Sequence, residues 1–119
     1  MKDFRNLTVW QKSHRLALET YRITKLFPKE EVYGLTSQMR RACVSIPANI
    51  AEGCAQRSDA AFCRHLVIAL ASGAELEYYF ILSADLGFMK HTEFTSMLDE
   101  LTQIKKMLNS FIQKLSAKS

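Results

Sequence analysis

The chain has 119 residues and a mass of 13.6 kDa, the usual size of one domain, so we expect a single domain over residues 1–119. Apolar residues make up 48% and charged residues 24% of the chain, which excludes a disordered or fibrous protein. With four glycines and two prolines there are too few turn residues for the many short strands of a β-sandwich or β-barrel, and an all-α fold is favoured.

The first predicted helix runs from about Leu7 to Leu26 and is amphipathic. Its apolar side carries Val9, Trp10, Leu16, Ala17, Tyr21 and Ile23, and its basic side carries Arg5, Lys12, Arg15 and Arg22. Phe27-Pro28 ends this helix, because the residue before a proline is pushed out of the helical region. Residues 29–34 are then predicted to be a connector with one helical turn.

The second predicted helix starts at Thr36. Its apolar positions recur every three to four residues at Leu35, Met39, Ala42, Ile46 and Ile50. Pro47 lies inside this run and removes a backbone donor, which costs about 3 kcal/mol if nothing compensates it. Because the apolar pattern continues beyond the proline, we expect a kinked helix that ends at Gly53 in a left-handed cap.

The third helix is predicted from about Asp59 to Leu86, with Ser58 as its N-cap and Gly87 closing it. One apolar seam consists of Phe62, Leu66, Ala69, Gly73, Leu76, Phe80 and Ser83, and a second stripe consists of Val67, Leu70, Ala74, Tyr78 and Ile81. A helix that is apolar around most of its circumference must be covered on more than one side. We therefore expect the second stripe to be an oligomer interface. The helix is nearly long enough to span a membrane, but Glu75 and Glu77 at its middle argue against that.

The fourth helix is predicted to begin near Thr92 as its cap and to end in a frayed tail over residues 116–119. Its apolar positions are Phe94, Leu98, Leu101, Leu108, Phe111, Ile112 and Leu115. Four long helices with short connections predict an antiparallel up-down four-helix bundle.

The residues that could support catalysis are not arranged in a known pattern. Cys43, Cys54 and Cys63 match neither a disulfide framework nor a Cys-x-x-Cys pair, and none of the three histidines completes a Glu-x-x-His spacing. The four isolated glycines form no phosphate-binding loop. We therefore expect no metal, no cofactor and no enzymatic activity. The charged start of the chain does not resemble a secretory signal, so a cytoplasmic location and no membrane partner are expected.

Positive charge is concentrated in the first half of the chain. Residues 1–64 carry eleven basic and six acidic side chains, whereas residues 65–119 carry five and six. The basic stripe of the first helix is more than about 20 Å long at a rise of about 1.5 Å per residue, and this length spans several phosphates. For a single basic helix, a solvated surface is nevertheless the commoner interpretation.

Four polar residues of the second helix leave alternatives open. Arg40 and Arg41 either pair with Glu75 or Glu77 on the third helix, which is the expected role for at least one of them, or face a ligand. Asn49 and Glu52 follow the proline, and they either bind the backbone groups freed by the kink or face a neighbouring subunit.

Specific segments of the chain resemble a known family. They are Leu7-Thr8-Val9-Trp10-Gln11-Lys12, Phe27-Pro28-Lys29-Glu30-Glu31-Val32-Tyr33-Gly34-Leu35, Gln38, Arg40-Arg41-Ala42, Ser45-Ile46-Pro47-Ala48-Asn49-Ile50-Ala51-Glu52-Gly53, Phe62, Leu66, Ala69 and Glu75-Leu76-Glu77. In these segments the chain resembles the bacterial four-helix bundle family of ribosomal RNA intervening-sequence proteins, which are similar in fold to the accessory variability determinant of diversity-generating retroelements. Cys54 and Ala55 depart from the usual residues after Gly53 and leave the local basic character to Arg57.

The resemblance implies a small cytoplasmic helical bundle that assembles into a ring-like homo-oligomer, a homopentamer, with a basic surface and no catalytic residues. Combined with the charge pattern, it leads to the hypothesis of a non-enzymatic oligomeric adaptor that binds structured RNA or DNA. The phosphate contacts are assigned to Arg5, Lys12, Arg15, Arg22, Arg40, Arg41 and Arg57. The alternative hypothesis is a scaffold for a nucleoprotein partner, such as a reverse transcriptase or a ribosomal component, that does not itself contact nucleic acid.

Overall fold

Four long α-helices and two short 3-10 turns make up residues 3–118, the part of the chain that the computed structural model describes. The helices are α1 (Thr8–Thr24), α2 (Leu35–Cys54), α3 (Asp59–Asp85) and α4 (His91–Lys118). The 3-10 turns are Phe4–Asn6 and Lys29–Glu31, and the second is the helical turn predicted in the connector before α2. No β-strand occurs within this range, which confirms the all-α prediction.

Each helix packs against the helices that precede and follow it in the chain, and α1 also packs against α4. In the described part of the chain, α1 makes no backbone contact with α3, nor α2 with α4, so these pairs lie on the diagonals. The α1–α2 and α3–α4 connections meet at one end, where the rings of Phe27 and Phe88 are 5.5 Å apart. The contacts are those of an up-down bundle, about 45 Å long.

Local signals correctly predicted both ends of α3. The Ser58 hydroxyl accepts a hydrogen bond from the Ala61 amide at 3.1 Å, which satisfies one of the free amides at the start of the helix. Gly87 follows the last turn with a φ of 79°, a left-handed conformation that glycine adopts without strain.

Two predicted caps and the frayed tail are wrong. Gly53 lies inside α2 with no positive φ; a side chain there would meet the ring of Phe62 at 2.7 Å, so this glycine serves close packing of α2 on α3. Thr92 lies inside α4, and the carboxylate of Glu93 accepts from the amide of Lys90 instead. Residues 116–118 continue α4, and Ser119 lies outside the described residues.

Helix α2 continues through Pro47, as predicted, while the kink itself stays a prediction. The side-chain amide of Asn49 donates to the Ser45 carbonyl at 2.9 Å and lies 3.1 Å from the Ser45 hydroxyl. Asn49 therefore binds the turn that precedes it in α2, whereas the carbonyl that Pro47 leaves without a helical donor is that of Cys43, so both roles considered for Asn49 stay predictions.

The seam predicted for α3 is buried along its full length. Leu66, Leu76 and Phe80 are fully inaccessible, and they face equally buried residues of α2 and α4 such as Ile46 and Leu101. Among residues 3–118, α3 alone is long and apolar enough to cross a membrane by length and composition. Its buried seam is that of the core helix of a bundle.

Candidate nucleic-acid interface

The basic stripe of α1 is largely neutralised by acidic neighbours. Lys12 donates to Gln103 at 3.1 Å and lies 3.8 Å from Glu100, both on α4. The other pairs join Arg5 to Asp3 at 3.1 Å and Arg22 to Glu19 and Glu93 at 2.8 and 3.8 Å. Arg15 is exposed and has no ion pair within the described residues. Lys12 and Arg22 therefore also tie α1 to α4.

Arg40 is held in place by α1. Its Nε donates to the hydroxyl of Thr24 at 3.0 Å, and one terminal nitrogen lies 3.5 Å from the carbonyl of Tyr21. The guanidinium carbon sits 4.6 Å from the centre of the Tyr21 ring, a cation–π geometry. Two residues of α1 thus fix this side chain while part of it remains accessible to solvent.

The expected pairing of Arg40 or Arg41 with an acid of α3 is wrong. Glu77 pairs with Lys105 of α4, whose stem lies across Gly73, and Glu75 accepts from the hydroxyl of Tyr79 at 2.7 Å. The hydrogen bond to Glu75 raises the pKa of Tyr79. Arg41 is exposed and forms no ion pair within residues 3–118, although its charge reaches Tyr79.

Two adjoining concavities follow the α1–α2 side of the bundle. The larger, about 580 Å³, is lined by Tyr21, Val32, Thr36, Ser37, Arg40, Arg41, Val44 and Ser45. The second, about 370 Å³, is lined by Thr24, Lys25, Phe27, Pro28, Lys29, Val32, Thr36 and Arg40. They share three residues and form one surface, which we call the α1–α2 groove. Four cationic side chains and no acidic side chain line it.

Sequence reasoning assigned Arg40 and Arg41 to the candidate site but missed Lys25 and Lys29. Lys29 begins the 3-10 turn of the connector, so helical periodicity says nothing about where it points, whereas Lys25 directly follows the last residue of α1. The spacing of Lys25 four residues after Tyr21 was the available signal, because such residues share a helix face.

Arg57, Glu52 and Asn49 are three further residues that the sequence singled out, and none of them lines the groove. Arg57 is exposed in the short connection after α2, at the opposite end of that helix. Glu52 is exposed near it, whereas Asn49 is half-buried and lies 3.2 Å from a ring nitrogen of His65. The structure therefore does not bring Arg57 together with Arg40 and Arg41 within one protomer.

The predicted interface stripe of α3 faces away from the bundle. Val67, Tyr78 and Ile81 are 50%, 58% and 40% exposed, Ala74 is exposed and Leu70 is half-buried. Ile68, which sequence reasoning did not assign, is 49% exposed on the same helix. A folded protomer thus leaves the apolar side chains of Val67, Ala74, Tyr78 and Ile81 uncovered, and we call these four residues the outer α3 face.

Cys43, Cys63 and His14 lie in separate surroundings. Burial raises the pKa of the Cys43 thiol to about 11, which keeps it protonated and a poor nucleophile. Cys63 lies near the hydroxyl of Ser116, and His14 stacks on Trp10 with ring centres 4.9 Å apart. Within residues 3–118, no group of three histidine, cysteine or acidic side chains is placed to hold a metal ion.

A third cavity, of about 470 Å³, lies where the start of α1 meets the end of α4. Apolar side chains such as Leu7, Met107 and Phe111 line it, and its two charged residues, Asp59 and Lys114, have opposite signs. It lacks the uniform charge of the α1–α2 groove.

Comparison with known proteins agrees with the fold and the sequence pattern. The family model described as 23S rRNA-intervening sequence protein matches residues 5–110. A crystal structure from Bacteroides thetaiotaomicron, of a protein of unknown function from the S23 ribosomal protein family, is similar over 88% of this chain and 98% of its own, with 29% identity and a TM-score of 0.80. No curated protein matches. The chain therefore belongs to the family of 23S rRNA-intervening sequence proteins.

Proposed function

We propose that the protein is a non-enzymatic adaptor that binds RNA or DNA through phosphate contacts and works as a homo-oligomer in the bacterial cytoplasm. The observation that carries this proposal is the α1–α2 groove, where Lys25, Lys29, Arg40 and Arg41 converge without an acidic neighbour among the lining residues. Elsewhere on α1 the cations are mostly paired, so the groove is where positive charge is left for a ligand.

Phosphate binding to such a groove releases counterions, and the affinity therefore falls with salt. If each of the four groove cations neutralised one phosphate, the logarithm of the binding constant would change with the logarithm of salt concentration by about −3 to −4 per protomer. Arg15 and Arg57 add exposed positive charge outside the groove.

Self-association follows from the outer α3 face. The apolar side chains of this face are exposed, while another side of the same helix forms the core. Covering them with a second copy removes apolar surface from water, and this stabilises the association. We propose that this face closes a ring, a homopentamer, which repeats the groove around its circumference. Linked copies of a modest site raise the overall affinity without any new contact.

The oligomer is tested by light scattering of the Val67→Glu, Tyr78→Glu double variant. Both side chains are at least half exposed, so the substitutions leave the protomer folded and put charge into the proposed contact. We expect the mass to fall to that of a monomer while the helical circular dichroism stays unchanged. A wild-type protein that is itself monomeric at micromolar concentration refutes the ring.

Nucleic-acid binding is tested by fluorescence anisotropy with a labelled RNA hairpin between about 50 and 200 mM salt. The Lys25→Glu, Arg41→Glu double variant reverses two exposed groove charges that have no ion-pair partner among residues 3–118, and we expect it to lose binding. The Lys106→Glu, Lys114→Glu double variant, which reverses two exposed charges on α4, is the matched control for net charge. Binding that does not change with salt, or that both variants weaken equally, refutes the groove as the site.

A scaffold for a nucleoprotein partner is the second candidate function, and the outer α3 face favours it. That surface has the apolar exposure of a protein interface, and the structural relative is assigned to a ribosomal protein family. The test is whether the wild-type protein and the Lys25→Glu, Arg41→Glu variant capture a ribosomal component or a reverse transcriptase. Equal capture by both proteins identifies this function.

A further inference from the structure

We infer that the α1–α2 groove accepts an unpaired stretch of nucleic acid, with its phosphates on the arginines and its bases against the apolar lining. This inference rests on the proposed function and narrows it to a class of ligand. It comes from the combination of charged and apolar side chains within one groove.

The apolar lining distinguishes an unpaired strand from a duplex. Tyr21, Val32 and Val44 are 40%, 48% and 43% exposed, and all three line the larger concavity together with both arginines. In a duplex the faces of the bases are stacked on one another, so a protein meets mainly phosphates, sugars and base edges. An unpaired base offers its face, and packing it on an aromatic ring contributes about 1–3 kcal/mol. A groove for duplex phosphates has no use for these exposed apolar residues.

Arg40 is positioned to hold a phosphate before the ligand arrives. A guanidinium has five N–H donors, and the contacts with Thr24 and Tyr21 use two of them. The other donors have no partner within residues 3–118 and remain free for phosphate oxygens. Because the side chain is already fixed over the Tyr21 ring, binding costs little additional side-chain entropy.

The remaining lining residues extend this chemistry along the groove. From Thr36 to Ser45 the groove follows about 14 Å of α2 at a rise of about 1.5 Å per residue. Ser37 lines the same concavity as Arg41, while Lys25 and Lys29 line the adjoining one; the Ser45 hydroxyl is already engaged with Ser72 and Asn49. Hydroxyls and lysines both bind phosphate and sugar oxygens without reading sequence. We therefore expect a short unpaired segment to bind with little sequence preference.

The test compares three labelled probes of equal length by fluorescence anisotropy. They are an oligothymidylate, an abasic strand with the same phosphates but no bases, and a blunt duplex. We expect the oligothymidylate to bind about ten-fold more tightly than the abasic strand, within the range that one stacked base contributes. The salt dependence should be the same for both single strands, because both present the same phosphates.

Two apolar variants make the test specific to the groove. Val32→Ser combined with Val44→Ser removes apolar lining and no charge, and because Tyr21 remains it should remove part of the advantage of the oligothymidylate over the abasic strand without changing duplex binding. Leu86→Ser is the matched control, since Leu86 is 52% exposed and lines neither concavity. This control should bind like the wild-type protein.

The outcomes separate failure of this inference from failure of the proposed function. Equal binding of the oligothymidylate and the abasic strand, with retained salt-dependent binding, overturns the unpaired-strand site and leaves the nucleic-acid adaptor standing. If the three probes and the RNA hairpin all fail to bind, both proposals fall. A change of oligomeric mass in the Val32→Ser, Val44→Ser variant shows that a second copy covers the groove, which also overturns the inference.

Discussion

Replacing Arg40 by lysine tests whether the groove is organised before it binds anything. Lysine keeps the charge but loses the planar group that stacks on Tyr21 and the Nε–H that reaches Thr24. The cation–π contact contributes about 0.5–1 kcal/mol at a partly exposed site, and the hydrogen bond contributes about 1 kcal/mol. Together they predict a loss of about 1–2 kcal/mol in the free energy of unfolding. With an unfolding entropy of about 2.1 cal/mol/K per residue, this chain should melt about 4–8 °C lower.

Thermal unfolding followed by circular dichroism measures this loss, at one protein concentration because self-association raises the melting temperature. Arg41→Lys is the control; Arg41 has no comparable contact and should change the free energy of unfolding by less than about 0.5 kcal/mol. A double-mutant cycle between Arg40→Lys and Tyr21→Leu should give a coupling of about 0.5–1 kcal/mol. Equal effects of the two lysine variants, or zero coupling, would show that Arg40 is not held in advance and refute the reasoning.

Two further predictions concern the core of α2. The pKa of Cys43 rises on folding from 9.0 to about 11 because burial disfavours the thiolate, so wild type should lose about 2 kcal/mol relative to Cys43→Ala between pH 9 and 11. Urea unfolding at several pH values measures this difference in the free energy of unfolding. If the free energies of wild type and Cys43→Ala change with pH in parallel, the pKa assignment is contradicted. Gly53→Ala should destabilise the protein by about 1 kcal/mol, because overlap with the ring of Phe62 outweighs the gain of about 1 kcal/mol in helix propensity. Stabilisation in urea would show that the ring moves aside freely.

The fold was largely predictable because its signals are local. The period of the apolar residues placed the buried seam of α3, from Phe62 to Ser83, and the N-cap at Ser58 and the glycine at Gly87 marked its ends. Gly53 was misassigned because glycine ends many helices, whereas here it admits a ring from the next helix. Thr92 was misassigned for a similar reason, since the side chain of Glu93 satisfies the first amide instead.

The candidate site was only partly predictable. Arg40 and Arg41 were correctly picked out as charged residues needing an explanation, but the expected acids on α3 have other partners. The sequence correctly placed Arg15 and Arg22 on the exposed side of α1. It did not show that most of the basic side chains of this stripe form ion pairs with acidic residues, as Arg22 does with Glu19 and Glu93. Lys29 joins the groove because the connector lies beside α2, which no helical pattern encodes, whereas Lys25 was within reach of the sequence because it lies four residues after Tyr21.

The sequence by itself determined how many helices form, where they lie in the chain and which side of each is apolar. These properties depend on residues within one or two turns of each other, so neighbouring positions are enough to read them. Only the tertiary structure decided which positive charges stay free and which apolar side chains stay exposed. Lys12 meets Gln103 across 91 positions of the chain, and such pairings depend on how the helices pack against one another.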